Sequence, residues 1–310
     1  MNAVLAPRAP MPSVFDLADG ASWLRWRERK LAARPSAAAE LVVEVKDPRN
    51  LSERERAAIV ERCRRANMAI YASRDVGDAP DLALAVGRQL GLRTLEANPF
   101  AGREGVARIA CDPRKERAGY IPYTSRRMRW HTDGYYGLPS HPVRSMILHC
   151  VRPAASGGET ALLDPELAWL LLREAGDEAV VALMHPEALT IPERMERRGI
   201  ARTAVSGPVF SVDAETGDLH MRYTARRRSV RWRCDAATSE AAARLLDLMD
   251  RDASCVLRTR LEAGMGLVCN NVLHERSAFE DSAAGPRLLL RARFTERIAG
   301  TEGAWKRFAD

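Results

Sequence analysis

The segment Trp130–Gly137, WHTDGYYG, places a histidine and an aspartate two positions apart, beside an indole and two phenols. On a strand that spacing points both side chains to one face. A neutral imidazole and a carboxylate on one face can share a metal ion. The pair His131 and Asp133 is common in unrelated chains, however, and needs a third His, Asp or Glu from far along the sequence. The chain has six histidines. His141 precedes a proline, His149 sits in an apolar run that suits a core histidine, His185 precedes Pro186, and His220 adjoins a hairpin-like turn. His274 stands apart: it follows the strand-like GLVCNN and is soon followed by the arginines 287 and 291 of RLLLRARF. Two histidines and a carboxylate on a β scaffold, with coordination positions left open, suit a non-haem Fe(II) site that activates oxygen.

Four stretches then occur in a recognisable order: WHTDGYY, SGGETALLD, GMGLVCNNVLHERSAF and GPRLLLRARF, spanning residues 130–294. With them the chain resembles the taurine and 2,4-dichlorophenoxyacetate dioxygenase family of Fe(II)/2-oxoglutarate oxygenases. The resemblance implies that His131, Asp133 and His274 bind Fe(II), leaving positions for 2-oxoglutarate and O2. It implies Arg287 and Thr160 at the distal carboxylate of 2-oxoglutarate, where an arginine fork grips a carboxylate in two-pronged geometry. Arg291 matches a family arginine near the iron end, serving the proximal carboxylate or an anionic substrate. The reaction implied is hydroxylation of a small anionic or zwitterionic substrate, or oxidative cleavage after it, with release of succinate and CO2. Halogenating relatives lack the carboxylate ligand; Asp133 is present, so hydroxylation is expected.

Two departures from the family pattern stand out. An Asp-Asn pair often precedes the distal histidine, whereas this chain has Asn270-Asn271; these are candidates for hydrogen bonding around the ligands, with a donor where a charge would be. The basic stretch YTSRRMR before His131 matches no one member, so the substrate does not carry over. Tyr135 and Tyr136 are candidate substrate contacts, because a phenol offers an apolar body and a polar tip. Tyr120 and Tyr123 are candidates for a lid. With Trp130 and the arginines they suit a small organic acid; an aromatic cage for a quaternary amine is the competing idea.

The elements that must position these residues are mostly short strands. ELVVEVK (40–46), NMAIYAS (67–73), VRSMILHC (143–150), ETALLD (159–164), PVFSV (208–212), LHMRY (219–223), CVLRTRL (255–261), GLVCNN (266–271) and RLLLRARF (287–294) read as strands. AETGD reads as a hairpin turn. Ser52 and Glu55 form a capping box opening a helix, PDLALAVGRQLG closes a second on Gly91, Asp164-Pro165 opens a third, and 238–252 is a fourth. Strands with few helices and no βα alternation predict a mainly β (α+β) fold, a double-stranded β-helix or jelly-roll core with flanking helices. The first fifteen residues, MNAVLAPRAPMPSVF, are expected to be a loose extension, not a secretory signal; residues 1–38, rich in Ala, Arg and Pro, are expected to be an N-terminal extension and 39–310 a single dioxygenase domain.

The 310 residues carry 48 Lys and Arg against 41 Asp and Glu, a net charge of +7. No apolar run reaches the ~18 residues of a membrane span, so no membrane partner and a cytoplasmic location are expected. The six cysteines form no CxxC pair and are expected as thiols. The basic run Arg222–Arg233 reads as a solvated surface; a nucleic-acid interface is the lesser alternative. A turnover-deficient protein that binds 2-oxoglutarate and metal on the same scaffold is the other alternative. The expected partner is a small molecule, nucleic acid is not expected, and family members often form homo-oligomers.

Overall fold

In the computed structural model, residues 13–96, 100–117, 119–196, 199–226, 230–251, 254–283 and 285–309 are described. Their strands form two facing sheets. The larger has the order Val42–Glu44, Met68–Ala72, Met265–Cys269, Ser145–Arg152, Leu288–Phe294, Ala107–Ile109. The smaller has the order Leu257–Thr259, Thr160–Leu163, Leu273–Arg276, Met128–His131. This is the expected double-stranded β-helix.

Alternation along the strands builds three apolar layers. Met146, Leu148, Cys150, Leu267, Cys269 and Leu289 of the large sheet point inward and meet Leu162 and Leu257 of the small one. The residues between them, Ile147, Val268, Leu290 and Ala292, point outward and pack with Ile59, Cys63, Leu82 and Val86 of the helices Glu53–Ala66 and Asp81–Gln89. Behind the small sheet, Ala161, Leu163 and Leu273 pack with the helices Pro165–Glu174, Asp177–Met184 and Ala236–Arg251. A sheet apolar on both faces requires such layers on both sides.

Local signals set several boundaries. The Ser52 hydroxyl accepts from Glu55 N at 3.3 Å, and the Glu55 carboxylate accepts from Ser52 N at 2.7 Å, closing the capping box. Asp164 caps the helix that begins at Pro165, accepting from Glu166 N at 2.9 Å. The hairpin Phe210–Val212 and Leu219–Met221 forms as its turn residues predict. The helix expected over 238–252 begins two residues earlier and is described to Arg251; Asp252 lies outside the described residues.

Three expectations need correction. Val42–Glu44 and Met68–Ala72 pair in parallel across the helix Glu53–Ala66, so one βαβ unit opens the sheet. The N-terminus is not loose at residues 13–15, where Val14 and Phe15 are buried, and the extension that follows packs on the core. The helix Gly20–Ala33 buries Trp23, Trp26 and Lys30, and Phe15 packs edge-on to Trp26 and Trp169 at 5.4 and 5.1 Å. The Lys30 ammonium is neutralised inside the protein by Asp164 at 2.8 Å and Glu166 at 2.5 Å, as a buried charge requires. Residues 1–12 lie outside the described set. Trp130 is a core residue packed behind the small sheet, not an aromatic wall of a pocket.

No helix among the described residues is long and apolar enough to cross a membrane. None of the cysteines is in a disulfide.

Candidate active site

His131 ends the strand Met128–His131 and pairs in register with His274 of Leu273–Arg276. The antiparallel ladder therefore brings together two histidines 143 positions apart, with ring centroids 4.2 Å from each other. Asp133 lies beyond the strand, in the turn that follows, so strand alternation alone does not aim it. Two other features do. Gly134 adopts φ +70°, and a Cβ there would come within 2.4 Å of Val143, so the tight turn requires glycine. Asn271 grips the Asp133 backbone from the other side: its Oδ1 accepts from Asp133 N at 2.8 Å, and its Nδ2 donates to Asp133 O at 2.9 Å and Val143 O at 2.6 Å. One ligand atom from each of His131, Asp133 and His274 lies within 4.8 Å of the others, and all three residues are buried.

The donor set fits a divalent iron. His131 Nδ1 is 2.9 Å from Arg129 O and His274 Nδ1 is 3.0 Å from Val272 O. A carbonyl only accepts, so each Nδ1 carries the proton and each Nε2 keeps its lone pair for a metal. Burial, helped by the neighbouring His274, pulls His131 down to about 3, and burial likewise lowers His274; both rings are neutral, as ligands must be. Burial alone would raise Asp133, but Arg291 and Arg293 outweigh it and hold the carboxyl well below the usual range. Asp133 Oδ1 accepts from Arg291 Nη1 at 3.0 Å, while the buried Oδ2 has no hydrogen-bond partner. An orphaned buried carboxylate oxygen beside two imidazole lone pairs is what a cation would satisfy.

Among the cavities that touch this triad, two bear on its chemistry. A narrow one runs from His274 to Thr160 and Arg287 between Met146, Leu148 and Leu289, with Arg291 on its wall. Arg287 is buried there, its guanidinium makes no ion pair among the described residues, and burial lowers its affinity for the proton. Arg276 lines the same cavity, but it is committed to the carbonyls of Thr124 and Arg126. The other cavity, of about 840 Å3, opens on His131 and Asp133. Tyr120, Tyr123, Tyr135 and Tyr136 all line it, as do six arginines: 129, 194, 202, 226, 291 and 293. Arg291 forms part of both walls.

The structure thus brings His131, Asp133, His274, Thr160, Arg287, Arg291, Tyr135, Tyr136 and Asn271 to one region. Asn270 it does not: its side chain bonds Asn67, Thr301 and Ile298 N, holding chain segments behind the site. Arg293, which donates to Tyr136 Oη at 2.9 Å and Glu96 at 2.6 Å, escapes the sequence reading. Its position, two beyond Arg291 on the same strand, is the signal that marks it. Arg194 and Arg202 carry no such signal. The basic run does not form one face: Arg222 is buried against the carbonyls of Leu189 and Val205, Arg226 lines the large cavity, and Arg231 is exposed. Arg227 and Arg228 lie outside the described residues.

The family model of taurine catabolism dioxygenase TauD, TfdA family, matches residues 29–293. The chain belongs to this family. It is an Fe(II)- and 2-oxoglutarate-dependent dioxygenase, with O2 as the other reactant. Among curated proteins it is similar to a uridine-5'-phosphate dioxygenase of Amycolatopsis sp, 35% identical over 193 residues, covering 61% of this chain and 67% of that one. A uridine-5'-phosphate dioxygenase of Streptomyces sp is 34% identical over 184 residues, 56% of this chain and 63% of that one. The fold is shared with the non-heme iron oxygenase OrfP, solved with Fe, succinate and (3S)-hydroxy-L-Arg: TM-score 0.58, 17% identity, 89% of this chain and 92% of that one. It is shared too with a taurine dioxygenase from Burkholderia xenovorans, with TM-score 0.54 and 22% identity over 84% of this chain and 89% of that one.

Proposed function

We propose that this dioxygenase oxidises a nucleoside 5'-monophosphate, uridine 5'-phosphate or a close analogue, at a C–H bond presented to the triad. The observation that carries the reading is the large cavity over His131 and Asp133, with six arginines and four tyrosines on its wall. Among the described residues its carboxylates are few: Asp133 belongs to the triad, Glu96 is tied to Arg293, and Glu193 is exposed. Such a wall suits a flat ring carrying an anion, since phenols pack against a base and guanidinium forks take phosphate oxygens. The uridine-5'-phosphate dioxygenases at 34–35% identity support the same class.

In this reading His131 Nε2, Asp133 Oδ2 and His274 Nε2 hold Fe(II). When bound, the iron supplies oxygen activation, driven by decarboxylation of 2-oxoglutarate to succinate. The protein contributes position and field. Arg287 and Thr160 take the distal carboxylate of 2-oxoglutarate at the closed end of the narrow cavity, and the methylenes lie along Met146, Leu148 and Leu289. Arg291 keeps Asp133 oriented through Oδ1 and presents the rest of its guanidinium at the junction of the two cavities. Asn271 fixes the turn that carries Asp133. Tyr135, edge-on to His131 at 6.4 Å, and Tyr136, bonded to Arg293, set the floor on which substrate rests.

A succinate-release screen tests this. Uridine 5'-phosphate should stimulate succinate formation above the substrate-free rate, whereas sulfonates, carnitine-like amines and aryloxy acids should not. Stimulation by one of those classes, with uridine 5'-phosphate inert, would overturn the substrate assignment. No succinate with any substrate, despite bound Fe(II) and 2-oxoglutarate, would mark a binding protein instead.

A further inference from the structure

The hairpin Arg194–Glu196 and Gly199–Arg202 forms one wall of the large cavity. Its register runs Gly199 against Glu196 and Ile200 against Met195, then shifts, so that Arg202 stands opposite Arg194. Without that bulge Ala201 would take the place. A bulge of this kind re-aims a side chain, and here it sets two arginines on the same face of a two-stranded ribbon. Like charges directly opposite each other on a hairpin are destabilising, and an anion bound across both would relieve that repulsion.

Each guanidinium is carried on a phenol ring. Arg194 lies over Tyr120 at 3.9 Å, and Arg202 faces Tyr136 at 5.7 Å. Stacking of this kind holds the guanidinium plane in a fixed orientation. Among the described residues Arg202 has no ion pair. Its Nη2 donates to Pro192 O at 2.6 Å, and its buried Nε has no partner among them. Burial, with repulsion from Arg194 beside it, lowers the Arg202 proton affinity, the signature of a cation short of counter-charge.

We infer that Arg194 and Arg202 are a phosphate clamp, taking the dianionic monoester of the substrate between two tyrosine-backed guanidinium forks. The inference rests on reading the cavity as a nucleotide site, and it assigns the part of that site that distinguishes a nucleotide from its nucleoside. Tyr136 links the clamp to the triad side of the cavity through Arg293, which lies 3.9 Å from Asp133 Oδ1. A phosphate held here keeps the adjoining sugar near the metal ligands.

Calorimetric titration of the holoenzyme, loaded with Fe(II) and 2-oxoglutarate without oxygen, tests the clamp. The probes are uridine 5'-phosphate, uridine and inorganic phosphate, against wild type, Arg202→Gln, Arg194→Gln and Arg202→Lys. Wild type should bind the nucleotide more tightly than the nucleoside. Each glutamine variant should weaken the nucleotide by about tenfold or more, the loss of a charge-assisted fork, and leave uridine unchanged; Arg202→Lys should recover part of the loss. Equal weakening of nucleotide and nucleoside, or unchanged nucleotide binding in both glutamine variants, would overturn the clamp. If wild type ignores both uridine ligands but binds phosphate, and Arg202→Gln abolishes that binding, the nucleotide reading fails and the clamp stands. Absence of binding by both nucleotide and phosphate would overturn both.

Discussion

Asp133 is held from two directions, and each grip has a measurable consequence. Asn271 fixes its main chain through two hydrogen bonds and ties that turn to Val143 O with a third, and Arg291 fixes Oδ1. Partners that orient a ligand are worth roughly 10–100-fold in metal affinity. Asn271→Ala should therefore weaken Fe(II) binding by about that factor while leaving the three ligands in place, read by metal titration; unchanged affinity would mean that Gly134 and the ladder suffice. Arg287 sits at the far end of the narrow cavity with no ion pair of its own among the described residues. Arg287→Gln removes a two-pronged, charge-assisted contact of about 1.5–3 kcal/mol. The KM for 2-oxoglutarate should rise about tenfold to a hundredfold, with Fe(II) affinity little changed. At this scale the sequence is informative wherever chemistry demands one residue type. The triad, Thr160, Arg287 and Arg291 stand in short motifs whose residue types match the ligands proposed for them. Arg202 is not legible this way, because its role comes from a bulge and a tyrosine on a different element.

The elements divide by whether their signals are local. The capping box at Ser52, the Asp164-Pro165 helix start and the AETGD turn are each settled within a few residues, so they can be read directly. The strands Leu189–Ile191, Arg194–Glu196, Gly199–Arg202 and Val205–Gly207 cannot. They are three or four residues long, mixed in composition, and given form by pairing with one another in antiparallel ribbons. The N-terminal helix lies between these cases. Trp23, Trp26 and Lys30, spaced three and four apart, mark one helical face, but the surrounding Ala, Arg and Pro obscure it. Its importance is open to a direct check. Trp26 is fully buried against Phe15 and Trp23, so Trp26→Ala should cost about 3–5 kcal/mol, seen as a lower midpoint in chemical denaturation. A change near zero would make the helix an accessory to the fold.

For the molecule as a whole, two facing sheets do one job: they bring His131 and His274 into register at one end and carry Arg287, Arg291 and Arg293 along a single strand face. That face runs from the narrow cavity to the wide one, so in the proposed reading one strand would serve both 2-oxoglutarate and substrate. The β character of this core is legible in the short strands between turn residues, and the order of the four motifs supplies the jelly-roll pairing. The parallel opening unit and the cavity hairpin depend on contacts between distant segments, which no local pattern records. The central claim is that His131, Asp133 and His274 hold iron within reach of 2-oxoglutarate docked on Arg287. Mixing the protein with Fe(II) and 2-oxoglutarate in the absence of oxygen measures this most directly. A weak visible charge-transfer band should appear in wild type and vanish in His274→Ala. A colourless complex in wild type, with 2-oxoglutarate affinity the same in both proteins, would contradict the account.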